Sequence, residues 1–166
     1  MAGLAAIAWT PFATLSTMPD ETPPFATPAD AEPMHAVVAI VRRDERVLFV
    51  RRSPAARGAV GYWTPVSGRL EPGETEPQAL RREVREEVGL EVEARAKVAT
   101  IASRDGRYLL HFWTCTLLGG EARPVSDEVA DLRWLTLDEL HALAPVFEED
   151  VRIVSDACAE PDAPPS

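Results

Sequence analysis

The segment 68–90 constrains this chain more than any other, because its residues specify a loop followed by a helix with defined ends. Thr75 is a good N-cap, Pro77 lies in the first turn, where its missing N–H is harmless, and Gly89 permits a left-handed stop. Between them, apolar residues recur every four positions, at Leu80, Val84 and Val88. The sequence therefore predicts a helix over Glu76–Val88 that buries one apolar stripe.

Three glutamates share one face of this predicted helix, because Glu83, Glu86 and Glu87 are spaced i, i+3 and i+4. Carboxylates this close together repel one another unless a cation lies among them. Oxygen ligands of this kind suit Mg²⁺ or Mn²⁺ rather than zinc. The alternative is a solvated surface helix on which neighbouring arginines pair with the acids, namely Arg81, Arg82 and Arg85.

The order of residues across the whole segment favours the first of these interpretations. From Gly68 onward it consists of glycine, five residues, glutamate, seven residues, Arg-Glu, an aliphatic residue, any residue, Glu-Glu, any residue, glycine and an aliphatic residue. This is the pattern of the Nudix box. The chain thus resembles the Nudix hydrolases, and the similarity covers roughly residues 34–157.

The resemblance implies an α/β fold, an α/β/α sandwich around a mixed β-sheet in which the box forms a loop–helix–loop catalytic motif. It also implies a hydrolase of phosphoric anhydride bonds whose substrate is a small-molecule nucleotide. Water would attack a phosphorus of a nucleoside di- or triphosphate linked to another moiety, or of a modified nucleoside triphosphate. Mg²⁺, or Mn²⁺, would neutralise charge on the phosphate oxygens. The alternatives are a coenzyme A or ADP-ribose type pyrophosphatase, and a Nudix domain that senses a nucleotide without cleaving it.

Carried over position by position, the resemblance assigns metal binding and base catalysis to the three helical glutamates. Glu87 is the first choice as a metal ligand and Glu86 the next, whereas Glu83 is either a ligand or the base that deprotonates the water. Arg82 is expected to orient Glu83. Glu74 is expected to brace the loop against the helix or to serve a further metal.

Two further metal ligands are expected outside the helix. The residue before the box glycine often offers its backbone carbonyl in this family; it is commonly glycine and is Ser67 here. A carboxylate on a downstream loop completes the site in many members, and Glu128 lies where that loop is expected, with Asp127 as the second choice. The alternative for Glu128 is a solvated acid in a polar loop.

Substrate contacts are expected from residues that precede the box. Arg52 and Arg57 are candidates to contact phosphates, although each is equally compatible with an exposed charge near a strand end. Trp63 is a candidate to stack on a base, and the alternative is packing in the core. The spacing over 52–68 is similar to the element before the box in coenzyme A pyrophosphatases. However, Pro65-Val66-Ser67 stands where Phe-Pro-Gly is expected.

Strand-like runs lie on both sides of the box. Runs of β-branched and apolar residues predict one hairpin from the strands 36–42 and 46–52 and a second from the strands 92–103 and 107–118. A further strand is predicted over 131–135. The hairpin turns are predicted at Arg43-Asp44-Glu45 and Asp105-Gly106, and Gly119-Gly120 is predicted to end the second hairpin. Thr136 and Glu139 form a capping box before a short helix, and 148–157 predicts a terminal helix.

The two ends of the chain differ from its middle in composition and charge. Residues 1–33 contain six of the fifteen prolines and carry a net charge of −4, and residues 148–166 carry −5. We expect a flexible arm over 1–33, a Nudix hydrolase domain over 34–157 and a flexible tail over 158–166. Residues 34–147 carry only −1, so no basic excess favours polymeric nucleic acid as a partner.

Other classes of protein are disfavoured by what the sequence lacks. No apolar run approaches the roughly 18 residues of a membrane-spanning helix, so no membrane partner is expected. The two cysteines, Cys115 and Cys158, are too few for a disulfide framework and favour a reducing, cytoplasmic compartment. No serine-esterase elbow, Walker loop or dinucleotide-binding glycine motif is present. The three histidines are scattered singly and are expected in packing or surface roles, and the protein is expected to be a monomer or a homodimer.

Overall fold

The computed structural model describes residues 32–159, which form a seven-stranded mixed sheet with helices on both faces. The strands are β1 (Met34–Arg43), β2 (Arg46–Arg52), β3 (Trp63–Thr64), β4 (Val66–Arg69), β5 (Leu90–Ala102), β6 (Tyr108–Gly120) and β7 (Val129–Leu135). The helices are α1 (Glu76–Val88), α2 (Leu137–His141) and α3 (Glu148–Ala159). The predicted α/β/α sandwich with a mixed sheet is confirmed. Most of the predicted arm and tail lies outside the described residues.

Strand β1 organises the sheet, whose order is β3-β2-β1-β6-β5. It runs parallel to β6 along nearly its whole length and antiparallel to β2 at its own end. On the β2 side, the earlier part of β1 pairs with β4, so that Val37 lies opposite Gly68 and Val38 opposite Ser67. Strand β7 pairs with β2. The box glycine is therefore fixed to the centre of the sheet by backbone hydrogen bonds.

Side chains of β1 alternate between two apolar cores, one on each face of the sheet. Val37 and Val41 join the core beneath α1, whereas Val38 and Ile40 join the core beneath α2 and α3. The strand is covered on both faces, which explains why its sequence is continuously apolar rather than alternating. The stripe of α1 that the sequence predicts is buried, with Leu80, Val84 and Val88 no more than 1% exposed.

Helix α1 begins and ends where its sequence predicts. The Thr75 N–H donates to the side-chain oxygen of Gln78 at 2.8 Å, which ties the N-cap to the third helical residue. Gly89 adopts φ 72°, and its N–H donates to the Arg85 carbonyl at 3.1 Å. A left-handed residue at this point ends the helix and sends the chain directly into β5.

Several strand boundaries differ from the predicted ones. Gly119-Gly120 was expected to end the preceding run, but β6 continues through Gly120 because these glycines pair with Glu91 and Leu90 of β5. β7 begins at Val129 rather than at residue 131, and α3 extends to Ala159. β3 and β4 were not predicted, since they have two and four residues and periodicity needs a longer run.

A polar cluster joins the start of α1 to the sheet. The Glu76 carboxylate accepts hydrogen bonds from Trp113 Nε1 at 2.6 Å and from Lys97 Nζ at 2.7 Å. Beside it, His111 and His35 lie 2.8 Å apart between ring nitrogens, with their rings stacked. In the sequence these two histidines are far apart, and the parallel pairing of β1 with β6 brings them together.

None of the helices in the described part of the chain, residues 32–159, combines the length and the apolar character that a membrane-spanning helix needs.

The polar cluster around Glu76 generates a prediction about stability. Burial raises the pKa of Glu76, but the hydrogen bonds from Lys97 and Trp113 outweigh it and lower the pKa below 4.5. Replacing Glu76 by Ala should lower the free energy of unfolding by about 2 kcal/mol, because Trp113 and Lys97 lose their acceptor. Glu76→Gln keeps an acceptor and should cost less than half as much. Urea titrations of both variants measure the difference.

The pH dependence provides the control for this prediction. Because the pKa of Glu76 is lower in the folded chain, its stabilising contribution is present above pH 4.5 and is lost as the pH falls through the folded value. The effect of Glu76→Ala should therefore shrink at acidic pH. If the loss of stability in Glu76→Ala were the same from pH 7 to below the folded pKa of Glu76, the ion pair between Glu76 and Lys97 would not be stabilising.

Candidate active site

The acidic residues of α1 lie at the rim of the core beneath that helix. Glu87 is buried at 7% exposure, Glu83 is half-buried and Glu86 is exposed. This gradient follows from the buried stripe, because Glu87 immediately precedes Val88 and follows Val84 by three positions, whereas Glu86 lies further around the helix. The three acids therefore extend from the rim of the core at Glu87 to the solvent at Glu86.

Arg82 connects the box loop to the acids of the helix. Its Nε and Nη2 donate to the two carboxylate oxygens of Glu74 at 2.9 and 2.8 Å. Nη1 donates to Glu83 at 2.7 Å and lies 3.5 Å from Glu86. Nη2 also donates to the Arg69 carbonyl at 3.0 Å. The guanidinium thus joins the end of β4, the loop and the helix.

Gly68 allows the sheet to approach Glu83 closely. A β-carbon at position 68 would lie only 1.9 Å from Cδ of Glu83, far inside van der Waals contact. Glu83 is therefore held between the β4 backbone on one side and the Arg82 guanidinium on the other. The absence of a side chain at Gly68 is therefore what allows the Glu83 carboxylate to occupy this place, and any larger residue would displace it.

The loop before β7 places Glu128 opposite the helix. Val125 N–H donates to the Glu87 carbonyl at 2.9 Å, and Ser53 N–H donates to the Glu128 carbonyl at 2.8 Å. The Ser53 hydroxyl also donates to the Asp127 carbonyl. Arg52 Nη2 lies 3.7 Å from the Glu128 carboxylate. The loop is consequently held between the end of α1 and the end of β2.

Negative charge accumulates around Glu87. Burial, followed by the charge of Glu83, raises the pKa of Glu87 to about 8; Arg52 opposes this shift, and Glu128 and Glu86 add to it. Burial also raises the pKa of Glu83, although its hydrogen bond from Arg82 opposes the change. The protein therefore supplies less positive charge than this cluster needs, and Glu87 binds a proton near neutral pH when no other cation is bound.

The donor set fits a hard divalent cation. Within residues 32–159, no three His, Cys, Asp or Glu side chains are grouped so that they could hold a metal ion by themselves. Mg²⁺ does not require such a group, because it usually takes one or two carboxylates and completes its octahedron with water and substrate phosphate oxygens. Glu87, Glu86, Glu83 and Glu128 provide such carboxylates, and Ser67 lies on β4 beside the same cavity. A cation here would relieve the charge around Glu87.

A cavity of about 1090 Å³ extends from these acids past the start of β1, the start of β6 and the end of β5. Of the residues expected to contact substrate, Arg52 and Arg57 line it. Trp63 does not: it is 4% exposed in the core beneath α2 and α3, with the Arg133 guanidinium 4.6 Å from its ring centroid. The prediction that Trp63 stacks on a base is therefore wrong, because a ring enclosed by core side chains cannot present a face to a ligand.

Three polar residues at the site were not singled out from the sequence. Ser53 fixes the Glu128 loop, and its role depends on the distant pairing of β2 with β7. Thr64 lines the cavity, and its buried hydroxyl has no hydrogen-bond partner within the described residues. Asp150 lines the same cavity and is 7% exposed. In the sequence Asp150 resembles an ordinary acid in the first turn of a helix, so no local signal distinguishes it.

Comparison with known sequences identifies the region that contains this site. A sequence profile of the NUDIX domain matches residues 32–157. The NAD-capped RNA hydrolase NudC of Stutzerimonas stutzeri is 36% identical over 107 residues, which cover 64% of this chain and 37% of that protein. The CTP pyrophosphohydrolase of Escherichia coli is 39% identical over 82 residues, covering 48% of this chain and 60% of that protein. The chain spans little more than a third of the length of this NudC relative.

Solved structures share the fold. An ADP-ribose pyrophosphatase from Streptococcus suis superposes with a TM-score of 0.63 at 26% identity, covering 77% of this chain and 93% of that one. A MutT NUDIX hydrolase from Burkholderia pseudomallei gives 0.66 at 24% identity, covering 75% and 98%. The arrangement of sheet and helices is therefore that of these structures.

The charge around Glu87 predicts a variant that is more stable than the natural chain. Because the folded pKa of Glu87 is about 8, against 4.5 when unperturbed, the folded state loses stability as the pH rises between these values. Glu87→Gln removes that loss. At pH 9 in EDTA it should raise the free energy of unfolding by about 2 kcal/mol, and at pH 4 it should have little effect.

Thermal or urea unfolding at the two pH values measures this difference, with Glu91→Gln as the matched control because Glu91 is exposed on β5. The control should show neither the stabilisation nor its pH dependence. A Glu87→Gln protein that is less stable than the natural chain at pH 9 would show that the carboxylate is compensated within the protein.

Proposed function

This chain belongs to the NUDIX domain family, and from that premise we propose that it is a divalent-metal-dependent hydrolase that cleaves a pyrophosphate bond in a nucleoside di- or triphosphate linked to another moiety. One observation carries the proposal. Four carboxylates lie at one end of a nucleotide-sized cavity, and the buried one among them, Glu87, has more negative than positive charge around it. Such an arrangement suits a site that is completed by a cation and by a substrate that binds through that cation.

The proposed ligands follow from exposure and position. Glu87 and Glu86 are the first candidates to hold Mg²⁺, or Mn²⁺, and Glu128 and the Ser67 carbonyl are the further ones. When bound, the cation supplies the positive charge that stabilises charge developing on the phosphate oxygens. Glu83 remains either a ligand or the base. Arg52 and Arg57 are the proposed contacts to the substrate phosphates, which is supported by their position in the lining of the cavity.

The reaction requires a positioned proton acceptor. A water oxygen forms a bond to phosphorus, the bridging P–O bond breaks, and the proton of the water passes to a carboxylate. Glu83 suits this role because its carboxylate is held by Arg82 at 2.7 Å and by the close backbone of Gly68. Its raised pKa also brings it nearer to the value at which a base accepts a proton efficiently at neutral pH.

The names of the relatives support a nucleotide as the substrate class but differ in the member they specify. They include NAD-capped RNA, CTP and ADP-ribose. Coenzyme A remains an alternative from the sequence spacing alone. All three helical glutamates of the box are present, which favours catalysis over the sensing alternative. The expectation that polymeric nucleic acid is not a partner, together with a cytoplasmic location and a monomeric or homodimeric state, stays a prediction.

A nucleotide panel tests the proposal. Products are identified by mass spectrometry after incubation with Mg²⁺ or EDTA, using nucleoside triphosphates, ADP-ribose, dinucleoside polyphosphates, coenzyme A and a NAD-capped RNA. We expect Mg²⁺-dependent cleavage of at least one member. Glu87→Gln and Glu86→Gln should each lower kcat by roughly 100-fold or more, because the amide removes charge from the metal site and nearly keeps the shape.

Glu91→Gln serves again as the matched control and should leave kcat unchanged. Because Glu87→Gln is expected to be more stable than the natural chain, loss of activity in that variant cannot be attributed to unfolding. Inertness towards the whole panel, with intact binding of a nucleotide, would support the sensing alternative. Full activity of Glu87→Gln would remove Glu87 from the metal site.

The close approach at Gly68 gives a second prediction about turnover. Gly68→Ala places a methyl group where the Glu83 carboxylate lies, so that carboxylate must move away from its bond with Arg82. We expect kcat to fall about 10-fold or more, since proton transfer depends on position. The Tm should change by only a few degrees, because the obstructing atoms are at the end of a side chain. Unchanged kcat would show that Glu83 need not occupy this position.

A further inference from the structure

Thr64 lies near the centre of the sheet, where β1 and β2 separate. These two strands pair with each other beside their hairpin turn, and further along β3 pairs with β2 while β4 pairs with β1. Thr64 of β3 is opposite Val50 of β2, so the two side chains project to the same face of the sheet. Val50 belongs to the core beneath α1, and the Thr64 side chain therefore lies on the face that α1 covers.

The hydroxyl of Thr64 is buried without a hydrogen-bond partner. Thr64 is 7% exposed, and within residues 32–159 its Oγ1 is the only buried side-chain oxygen or nitrogen that has no partner. Burying a hydroxyl in this way lowers stability, because the hydrogen bond that it formed with water is not replaced. Valine has nearly the same shape and would avoid this loss. The hydroxyl therefore does not serve the stability of the fold, which points to a role in binding.

Other donors that hold the site together are engaged with protein groups. Arg82 donates to two carboxylates of the box, and Arg52 Nε donates to the Gly58 carbonyl at 2.9 Å. The Ser53 hydroxyl donates to a carbonyl of the loop before β7. Thr64 differs from these residues, because its donor is not used within the described part of the chain.

Thr64 is also placed where a donor would be useful. It lines the cavity of the candidate active site together with Glu87, Glu128 and Ser67, and more negative than positive charge surrounds Glu87. A hydroxyl rotates about its C–O bond to suit an acceptor, and a negative environment favours the orientation in which its hydrogen points towards the charge. The donor is thus available to an oxygen atom that a cation brings into the acidic end of the cavity.

We propose that Thr64 is a positioning residue whose hydroxyl donates a hydrogen bond to an oxygen atom bound to the divalent cation at the acidic end of the cavity. This inference rests on the proposed function and assigns a further residue to the same site. The oxygen belongs to a water molecule or to a substrate phosphate, and both accept hydrogen bonds. Hydrogen bonds from such outer partners orient the ligands of a metal ion. The unpartnered hydroxyl thus lowers the stability of the free protein and strengthens binding.

Two substitutions of Thr64 separate this role from a structural one. Valine keeps the shape and removes the hydroxyl, whereas serine keeps the hydroxyl and removes a methyl group. In EDTA, Thr64→Val should raise the Tm by about 2–6 °C, because the unpartnered hydroxyl is gone, and Thr64→Ser should lower it. Binding should change in the opposite order, with Thr64→Val weakened and Thr64→Ser close to the natural chain.

Mn²⁺ titrations followed by electron paramagnetic resonance measure binding without requiring catalysis. They are performed with the metal alone and with CMP or AMP, neither of which contains a pyrophosphate bond. Thr64→Val should lower the affinity for Mn²⁺, or for the nucleotide in the presence of Mn²⁺, at least about fivefold, and Thr64→Ser by less than about twofold. A loss with Mn²⁺ alone identifies the acceptor as a water oxygen, and a loss confined to the nucleotide identifies it as a phosphate oxygen.

Thr114→Val is the matched control, because the half-buried Thr114 of β6 does not line the cavity and its hydroxyl donates to the Ala96 carbonyl at 3.4 Å. It should neither raise the Tm nor change the affinities. Unchanged binding in Thr64→Val, an equal loss in Thr64→Ser, a lower Tm in Thr64→Val, or no Mn²⁺ binding at millimolar concentration would each overturn the role of Thr64. Hydrolysis in the nucleotide panel with unchanged binding in Thr64→Val would overturn this inference alone. Weakened binding in Thr64→Val, in a chain that cleaves no member of the panel, would overturn only the catalytic proposal.

Discussion

The geometry of the site depends on the hydrogen bonds that the guanidinium of Arg82 donates. It binds both carboxylate oxygens of Glu74, one of Glu83 and the carbonyl of Arg69, and thereby joins strand, loop and helix. A planar fork of donors can satisfy these acceptors together, which the single ammonium of a lysine could not. Without this arginine, the loop would lose its attachment and the acids of α1 would repel one another without compensation.

The packing that buries Glu87 disfavours the negative charge on its carboxylate. The same periodicity that buries Val84 and Val88 carries Glu87 to the rim of the core, where water solvates its charge poorly. The fold therefore contains a local source of instability that a bound cation would remove. Natural sites often retain such destabilising residues because function requires them. Packing of the helix thus sets the electrostatics of the site.

Much of the site was predictable because its parts are close in sequence. Helix α1 has the predicted bounds, since its caps and its apolar stripe act over one to four residues. The meeting of Arg82 with Glu74 and Glu83 follows from the same local geometry. The end of β6 and the role of Trp63 were not predictable. The end of β6 depends on its pairing with β5, and the burial of Trp63 depends on which face of the sheet α2 and α3 cover.

The sequence by itself determined the helix, its ends and the chemical class of the site, because spacing along one helix fixes which side chains share a face. Only the tertiary structure decided which distant residues complete that site. The pairing of β2 with β7 brings Arg52 and Ser53 to Glu128, and the packing of α3 turns Asp150 into the cavity. These contacts join segments about 50 to 110 residues apart, and they form only when two apolar faces are buried against one sheet.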